Sequence, residues 1–334
     1  MDPVGPLDLV ALTRALVDID STTGREAAVG EWLAGYLGGL GYRVTRQPVE
    51  PDRFNVLATL DDPIIALSTH CDCVPPFMPS RFDGTTVHGR GACDAKGILA
   101  AQIVAAERLR QAGETRVALL VVVGEEVGSL GALAANRLPT STRYLINGEP
   151  TGNRLASATR GSLRVRIRAS GRAAHSSRPE LGESAIDRVL DALTVLRTLE
   201  MPVDPVLGRT TCAVTQIRGG VAHNVIPADA EANVTFRTVG DTSALRASLD
   251  ALPGVTVETV TEIPSATMAT VPGFETATFA FTTDVPLLSA WGTPLLFGPG
   301  SIDVAHTDDE RIEVAELERG VEGYVALVNR LISS

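Results

Sequence analysis

Four short apolar runs constrain this chain most: Ile64 to Ser68, Val117 to Val123, Tyr144 to Ile146 and Leu295 to Phe297. Each ends in Gly or a polar residue, the pattern of a strand buried on both faces of a parallel sheet. Parallel strands need crossovers, and Ile98 to Leu109 supplies one, with apolar residues at helical spacing. Leu7 to Leu40 reads as two helices broken at Ser21 to Gly24, the second carrying Trp32, Leu33, Tyr36 and Leu37. The alternation predicts an α/β layered domain, in which ligands gather outside the carboxyl ends of the strands.

The middle of the chain has another rhythm. Ser162 to Ala169 alternates polar and apolar, Ala185 to Leu199 is helical, and Thr210 to Ile217 and Ala230 to Thr238 alternate again. A helix at Ser243 to Leu252 and a strand at Val255 to Val260 complete it. Strand, helix, strand, strand, helix, strand is the split ferredoxin-like order, which is self-contained. It reads as an α+β insertion at 160–264 within an α/β domain built from 1–159 and 265–334. Pro264 to Thr270 would return the chain to that domain, and Val314 to Leu331 would close it with an amphipathic helix.

At 334 residues and 44% hydrophobic the chain can bury a full core. Its net charge of -11 leaves no excess of Lys and Arg to neutralise phosphates, which excludes nucleic acid as a partner. Met1 to Gly5 lacks a basic segment followed by an apolar run, and no stretch is long and apolar enough to span a membrane, so a cytoplasmic location is expected. Four cysteines make no disulfide framework. Cys71 and Cys73 lack a second pair to complete a thiolate site and read as buried structural thiols.

The chemistry-bearing residues sit at the strand ends. His70 follows the first apolar run with Asp72 two residues on, so both side chains point the same way. In Gly89 to Gly97, glycines allow close backbone approach and place Asp94 at the mouth of the next helix, where an N-cap role is compatible with metal binding. Glu125 and Glu126 follow the most hydrophobic run, and adjacent carboxylates there are costly unless a cation compensates them. Glu149 follows Tyr144 to Ile146, and His306 lies in the loop beyond Gly298-Pro299-Gly300. Imidazole nitrogen with carboxylate oxygen suits zinc, and a shared carboxylate suits a pair of ions.

This series of motifs resembles the co-catalytic zinc hydrolases that include acetylornithine deacetylase, succinyl-diaminopimelate desuccinylase, aminoacylase and carboxypeptidase G. The resemblance implies a mixed sheet with helices on both faces, carrying an inserted ferredoxin-like lid domain. It implies two divalent ions, zinc or alternatively cobalt: His70 and Glu149 on one, Glu126 and His306 on the other, Asp94 bridging. Asp72 would orient His70. Glu125 would be the general base, taking a proton from the attacking water and giving it to the leaving amine. In the insertion, His175 of Gly171 to Ser177 looks like the lid histidine that stabilises the oxyanion. Asn224 of Asn224 to Pro227 and Arg237 of Phe236-Arg237 resemble the grip on a substrate carboxylate. A homodimer through the lid domains follows from the same likeness, with His175 completing the partner's site.

Relatives acting as deacylases or carboxypeptidases resemble this chain in having glutamate where Glu149 stands, which tilts the expected substrate to a small N-acyl amino acid. Gly298 to Ile302 leading to Ala305-His306 looks most like acetylornithine deacetylase; a desuccinylase or carboxypeptidase is the alternative, although its bulkier acyl side calls for a further cationic contact that the sequence does not locate. A binding module that has lost its metals would lack some of these ligands. A nucleotide-binding protein would need a phosphate-binding Lys beside Gly128 to Gly131, which is missing.

Overall fold

Ile65–His70 and Val117–Val122 lie side by side and parallel, with every residue of both buried. Runs of such aliphatic residues are stable only where both faces of a sheet are covered. The computed structural model describes residues 7–333; Met1 to Gly5, read above for a leader, lies outside them. Tyr144–Asn147 and Thr293–Leu296 extend the sheet in parallel, and Arg53–Thr59 and Arg43–Glu50 complete it antiparallel on the other side. The result is a six-stranded mixed sheet.

Alternate residues of the strands feed two cores. Ile65, Leu67, Leu119 and Val121 face Lys96–Gln111, Val314–Ser333 and the two first helices, Leu9–Val17 and Ala27–Gly39. Ala66, Ala118, Leu120, Val122 and Leu145 face the short helix Leu130–Ala135 and Trp291. Helices therefore cover both faces. The hairpin Arg43–Thr59 is absent from the sequence reading because its outer strand, RVTRQPVE, has no buried residue and so no apolar stripe.

The residues divide into two units. The first takes the chain through Ser157, Thr267–Ala277 and everything from Thr283 on; the second is Ala158–Ala266 with Thr278–Thr282. The second has an antiparallel sheet in the order Thr211–Gly219, Asp229–Thr238, Gly161–Ser170, Thr256–Ile263. Ala185–Leu196 and Ser243–Asp250 pack on one face of it through Val189, Leu193, Leu245 and Leu249. This is the split ferredoxin-like order. Among the described residues no helix is long and apolar enough to cross a membrane.

Candidate metal centre and active site

His70 is the last residue of a fully buried strand, so its ring emerges where the sheet's carboxyl ends open. Its Nε2 lies 3.0 Å from Asp94 Oδ1, and its Nδ1 lies 3.0 Å from the Asp72 carbonyl. The Asp72 carboxylate accepts from the Thr23 hydroxyl at 2.8 Å and from the backbone N–H groups of Glu125 and Glu126 at 3.1 and 3.2 Å. One buried carboxylate thus ties the His70 strand to the loop that carries both glutamates.

That loop is pinned at each end. Asn55 accepts from the Val123 N–H and donates to the Gly131 carbonyl. Arg53, paired bidentately with buried Glu26, lies against Gly124, where a Cβ would stand 2.8 Å from its guanidinium. Gly131 explains the Gly128 to Gly131 stretch: a Cβ there would meet the Val123 carbonyl at 2.3 Å.

The structure corrects one reading. Ala95, with no side-chain cap, occupies the N-cap of Lys96–Gln111. The Asp94 side chain instead points to His70 and to His306 Nε2, 3.3 Å away, and one carboxylate cannot also cap the helix. The helix's first N–H groups, of Lys96 and Gly97, go to the Gly91 carbonyl, and the turn before the helix is held by Glu310, whose Oε1 accepts from the Gly91, Cys93 and Asp94 N–H groups while Oε2 pairs with Arg90 at 2.6 Å.

His306 Nε2 also lies 3.0 Å from Glu126 Oε1. His306 holds a left-handed backbone, φ +64°, uncommon for a non-glycine residue and typical of positions that function over-determines. Two groups of potential metal ligands result: His70, Asp94 and Glu149, and Asp94, Glu126 and His306. Within each, the donor atoms lie within 4.8 Å of one another, and Asp94 belongs to both.

These residues fit a pair of cations. Glu149 Oε1 is buried with no hydrogen-bond partner, a costly state for a carboxylate unless a cation meets it. Burial pushes Glu149 and Glu125 well above the ordinary carboxylate range, and the charge of Glu149 adds to the shift of Glu125. Burial raises Glu126 as well. Burial opposes charge on His70, yet Asp72 and Asp94 hold its imidazole well above the usual range; hydrogen bonds to Asp94 and Glu126 push His306 up to about 10. Carboxylates packed this closely call for compensating positive charge, which a pair of divalent ions would supply.

Cys71, Cys73 and Cys93 are buried free thiols outside both ligand groups. Cys73 Sγ instead fills the space where a Cβ on Gly91, φ +87°, would stand 2.6 Å away. His88 ends the short strand Thr86–His88, with its Nε2 3.0 Å from Asp83 Oδ2.

The other three expected residues belong to the second unit and are exposed. His175 and Asn224 are neighbours: Ala174–His175 pairs with Val225–Ile226, and the Ser176 N–H donates to the Asn224 carbonyl at 2.9 Å. His175 Nδ1 accepts from the Ser177 N–H, which assigns its proton to Nε2 as an outward donor. Arg237 stands on the open face of the sheet and donates to Thr282 Oγ1 at 3.0 Å.

Sequence reasoning missed Glu310, Thr23 and Asp284. Arg90 in the Gly89 to Gly97 motif was a signal for Glu310, since a buried arginine needs an acid. Asp284 is 1% exposed, and neither of its oxygens has a hydrogen-bond partner. Its charge is among those that raise Glu125 and Glu149.

A sequence profile of Peptidase family M20/M25/M40 matches residues 66–330. A protein of Emericella nidulans named as a probable carboxypeptidase is 38% identical, covering 96% of this chain and 88% of its own. A tripeptidase from Staphylococcus aureus shares the fold, with a TM-score of 0.78, 20% identity, and coverage of 98% of this chain and 100% of that one. So does an M20 family metallo-carboxypeptidase from Sulfolobus solfataricus, with a TM-score of 0.75, 15% identity, and coverage of 96% and 98%.

Proposed function

The chain belongs to peptidase family M20/M25/M40 and is a metallopeptidase-type amide hydrolase, and on that premise we propose that it releases a C-terminal amino acid from a dipeptide or an N-acyl amino acid. The observation that carries this is the shared Asp94 between two ligand groups, with Glu149 Oε1 left without a donor. Deacetylation of acetylornithine, the narrower expectation from Gly298 to Ile302, gains no support from relatives named carboxypeptidase.

His70 and Glu149 would hold one divalent ion, Glu126 and His306 the other, with Asp94 between. Such ions, zinc first and cobalt second, polarise a carbonyl and make water a better nucleophile near neutral pH. Glu125 takes the proton of the attacking water and returns it to the leaving amine. Asp72 fixes the His70 ring while holding the backbone beneath Glu125. His175 Nε2–H stabilises the oxyanion, and Asn224 and Arg237 take the substrate's carboxylate.

The same reading makes the second unit a lid and the chain a homodimer. Thr211–Gly219 is an edge strand exposed along its whole length, with Val214 and Ile217 outward, a surface that a second copy would cover. Free thiols at all four cysteines fit a reducing cytoplasm.

The test is a hydrolysis screen with zinc or cobalt supplied, spanning dipeptides, N-acetyl and N-succinyl amino acids, acetylornithine and α-amidated counterparts. Substrates with a free α-carboxylate should be cleaved and their amides spared. Equal rates on amides would remove Arg237 and Asn224 from the site. No hydrolysis of any substrate by metal-loaded protein would overturn the assignment.

A further inference from the structure

Among the described residues the Glu125 carboxylate has no hydrogen bond of its own, whereas that of Glu126 beside it meets His306. Where the Glu125 side chain points is therefore set by its backbone. Most of that backbone is tied: the Cys71 N–H donates to the Val122 carbonyl, the Ser129 N–H to the Gly124 carbonyl at 2.7 Å, and the Glu125 and Glu126 N–H groups to Asp72. Gly124 is the pivot. Its φ of +75° lies in the left-handed region, which glycine enters at little cost and in which no side chain of its own confines it.

What confines it is Arg53. A Cβ on Gly124 would stand 2.8 Å from Arg53 Nη2, so the guanidinium fills the side-chain space that this residue lacks. Arg53 is itself fixed. Its Nε and Nη2 donate to Glu26 at 2.9 and 2.6 Å, the two-pronged geometry that holds a guanidinium plane, and its Nη1 donates to Glu50 at 2.5 Å. The Glu26 side chain is fully buried, and that of Arg53 is only 11% exposed. Although Glu26 stands at the N-cap of Ala27–Gly39, its carboxylate makes no cap there and accepts instead from the Gly24 N–H at 2.9 Å. The same turn supplies Thr23, whose hydroxyl donates to Asp72, and Ser21, whose hydroxyl donates to the Cys71 carbonyl at 2.6 Å. One strap, Ser21 to Glu26, thus grips the end of the His70 strand directly and the glutamate loop through Arg53.

We infer that Arg53, oriented by Glu26, is a positioning residue for the general base, its guanidinium plane holding the Gly124–Glu125 peptide in one orientation. An ion pair that serves the fold alone can often be replaced by apolar residues of like volume at no cost. A flat cation pressed on a left-handed glycine, one residue before the base, has a narrower purpose. This rests on the proposed hydrolase reading, in which Glu125 is the base, and deepens it by naming what aims that base. Misplacement of a reacting group by about 1 Å costs on the order of 100-fold in rate.

Arg53→Lys is the first variant to make, since it keeps a charge for Glu26 and withdraws the plane from Gly124. On the zinc-loaded full chain, with the fastest substrate of the hydrolysis screen, kcat should fall by about 10 to 100-fold while KM and metal content stay near wild type. In a Glu125→Gln background the same change should have almost no further effect, because it acts through the base. Glu26→Gln combined with Arg53→Met removes the pair without stranding a buried charge, and should reproduce both results. Hydrogen exchange on the same full chain reads the loop without turnover: the Glu125, Glu126 and Ser129 amides should lose protection in either variant, with that of Ile65–His70 retained. Wild-type kcat in either variant, an equal loss in the Glu125→Gln background, or exchange that rises alike across the sheet would overturn the role and leave the hydrolase standing. Loss of protection confined to the loop, in a protein whose wild type cleaves no amide, would keep the clamp and overturn the hydrolase.

Discussion

His70, Asp72, Asp94 and Glu149 in the first unit are at most 6% exposed, whereas His175, Asn224 and Arg237 in the second stand in solvent. The buried set is held by named neighbours: Asp72 by Thr23 and two backbone N–H groups, the Asp94 loop by Glu310. The exposed set has few such ties. Burying charges is costly, so the first unit's side chains are tolerated only with compensating charge, and their geometry is built before substrate arrives. An exposed histidine or arginine costs little to keep and is ordered by what it binds. Substitutions of the buried ligands and their supports in the first unit should therefore change metal content or stability, and those of the exposed residues in the second should change only rates.

The sharpest way to break this contrast uses two adjacent residues of the first unit. Glu126→Gln removes a ligand, and metal and activity should be lost together. Glu125→Gln should keep near wild-type metal while kcat falls by about two orders of magnitude or more. Elemental analysis beside initial rates decides it, and the reverse pattern would exchange their roles. In the second unit, His175→Ala should lower kcat by about 100 to 1,000-fold with metal and Tm retained. Metal loss in that variant would show that the two sets are not separable as drawn.

A smaller effect sharpens the account of the buried set. Glu310→Gln removes no expected ligand, yet it weakens the acceptor of the Gly91, Cys93 and Asp94 N–H groups and leaves buried Arg90 without its acid. Metal affinity should drop by about 10 to 100-fold, as for other supports of a ligand. A competition titration with a chromophoric chelator measures it; wild-type affinity would reduce Glu310 to a structural partner of Arg90.

The contrast also explains what the sequence made legible. Strands such as Ile65–His70 announce themselves because both faces are buried, and ligands at their ends are located by the same signal. Arg43–Glu50 is silent because an outer polar strand has no periodicity to read. His70 and Asp72 are close in sequence, but Glu310 meets Asp94 across more than two hundred residues, and nothing in Asp308-Asp309-Glu310 marks which acid turns inward. His175, Asn224 and Arg237 had no signal in burial or periodicity, and only the family likeness pointed to them.

Asp284 gives the smallest effect and asks whether burial alone sets the first unit's electrostatics. Its carboxyl is 1% exposed, with no hydrogen-bond partner on either oxygen, and burial pushes its pKa up to about 6, outweighing the pull of the nearby Ser129 hydroxyl. The unfolded chain releases this proton near pH 4, whereas the folded chain keeps it until about pH 6. Between those values the unfolded state has fewer protons than the native one, so stability falls as pH rises, and above pH 6 the loss is complete. Asp284→Asn has the same shape and no proton to lose. It should match wild type near pH 4 and exceed it at pH 8 by something on the order of 3 kcal/mol, seen as a higher Tm. The comparison is made with chelator and with zinc, because bound ions would favour the ionised form and shrink the gain. A gain with chelator that shrinks with zinc places Asp284 within the field of the metal centre. No gain in either condition, or a loss at pH 8, would mean that a donor or cation holds the Asp284 carboxylate ionised, and burial would not be what governs it.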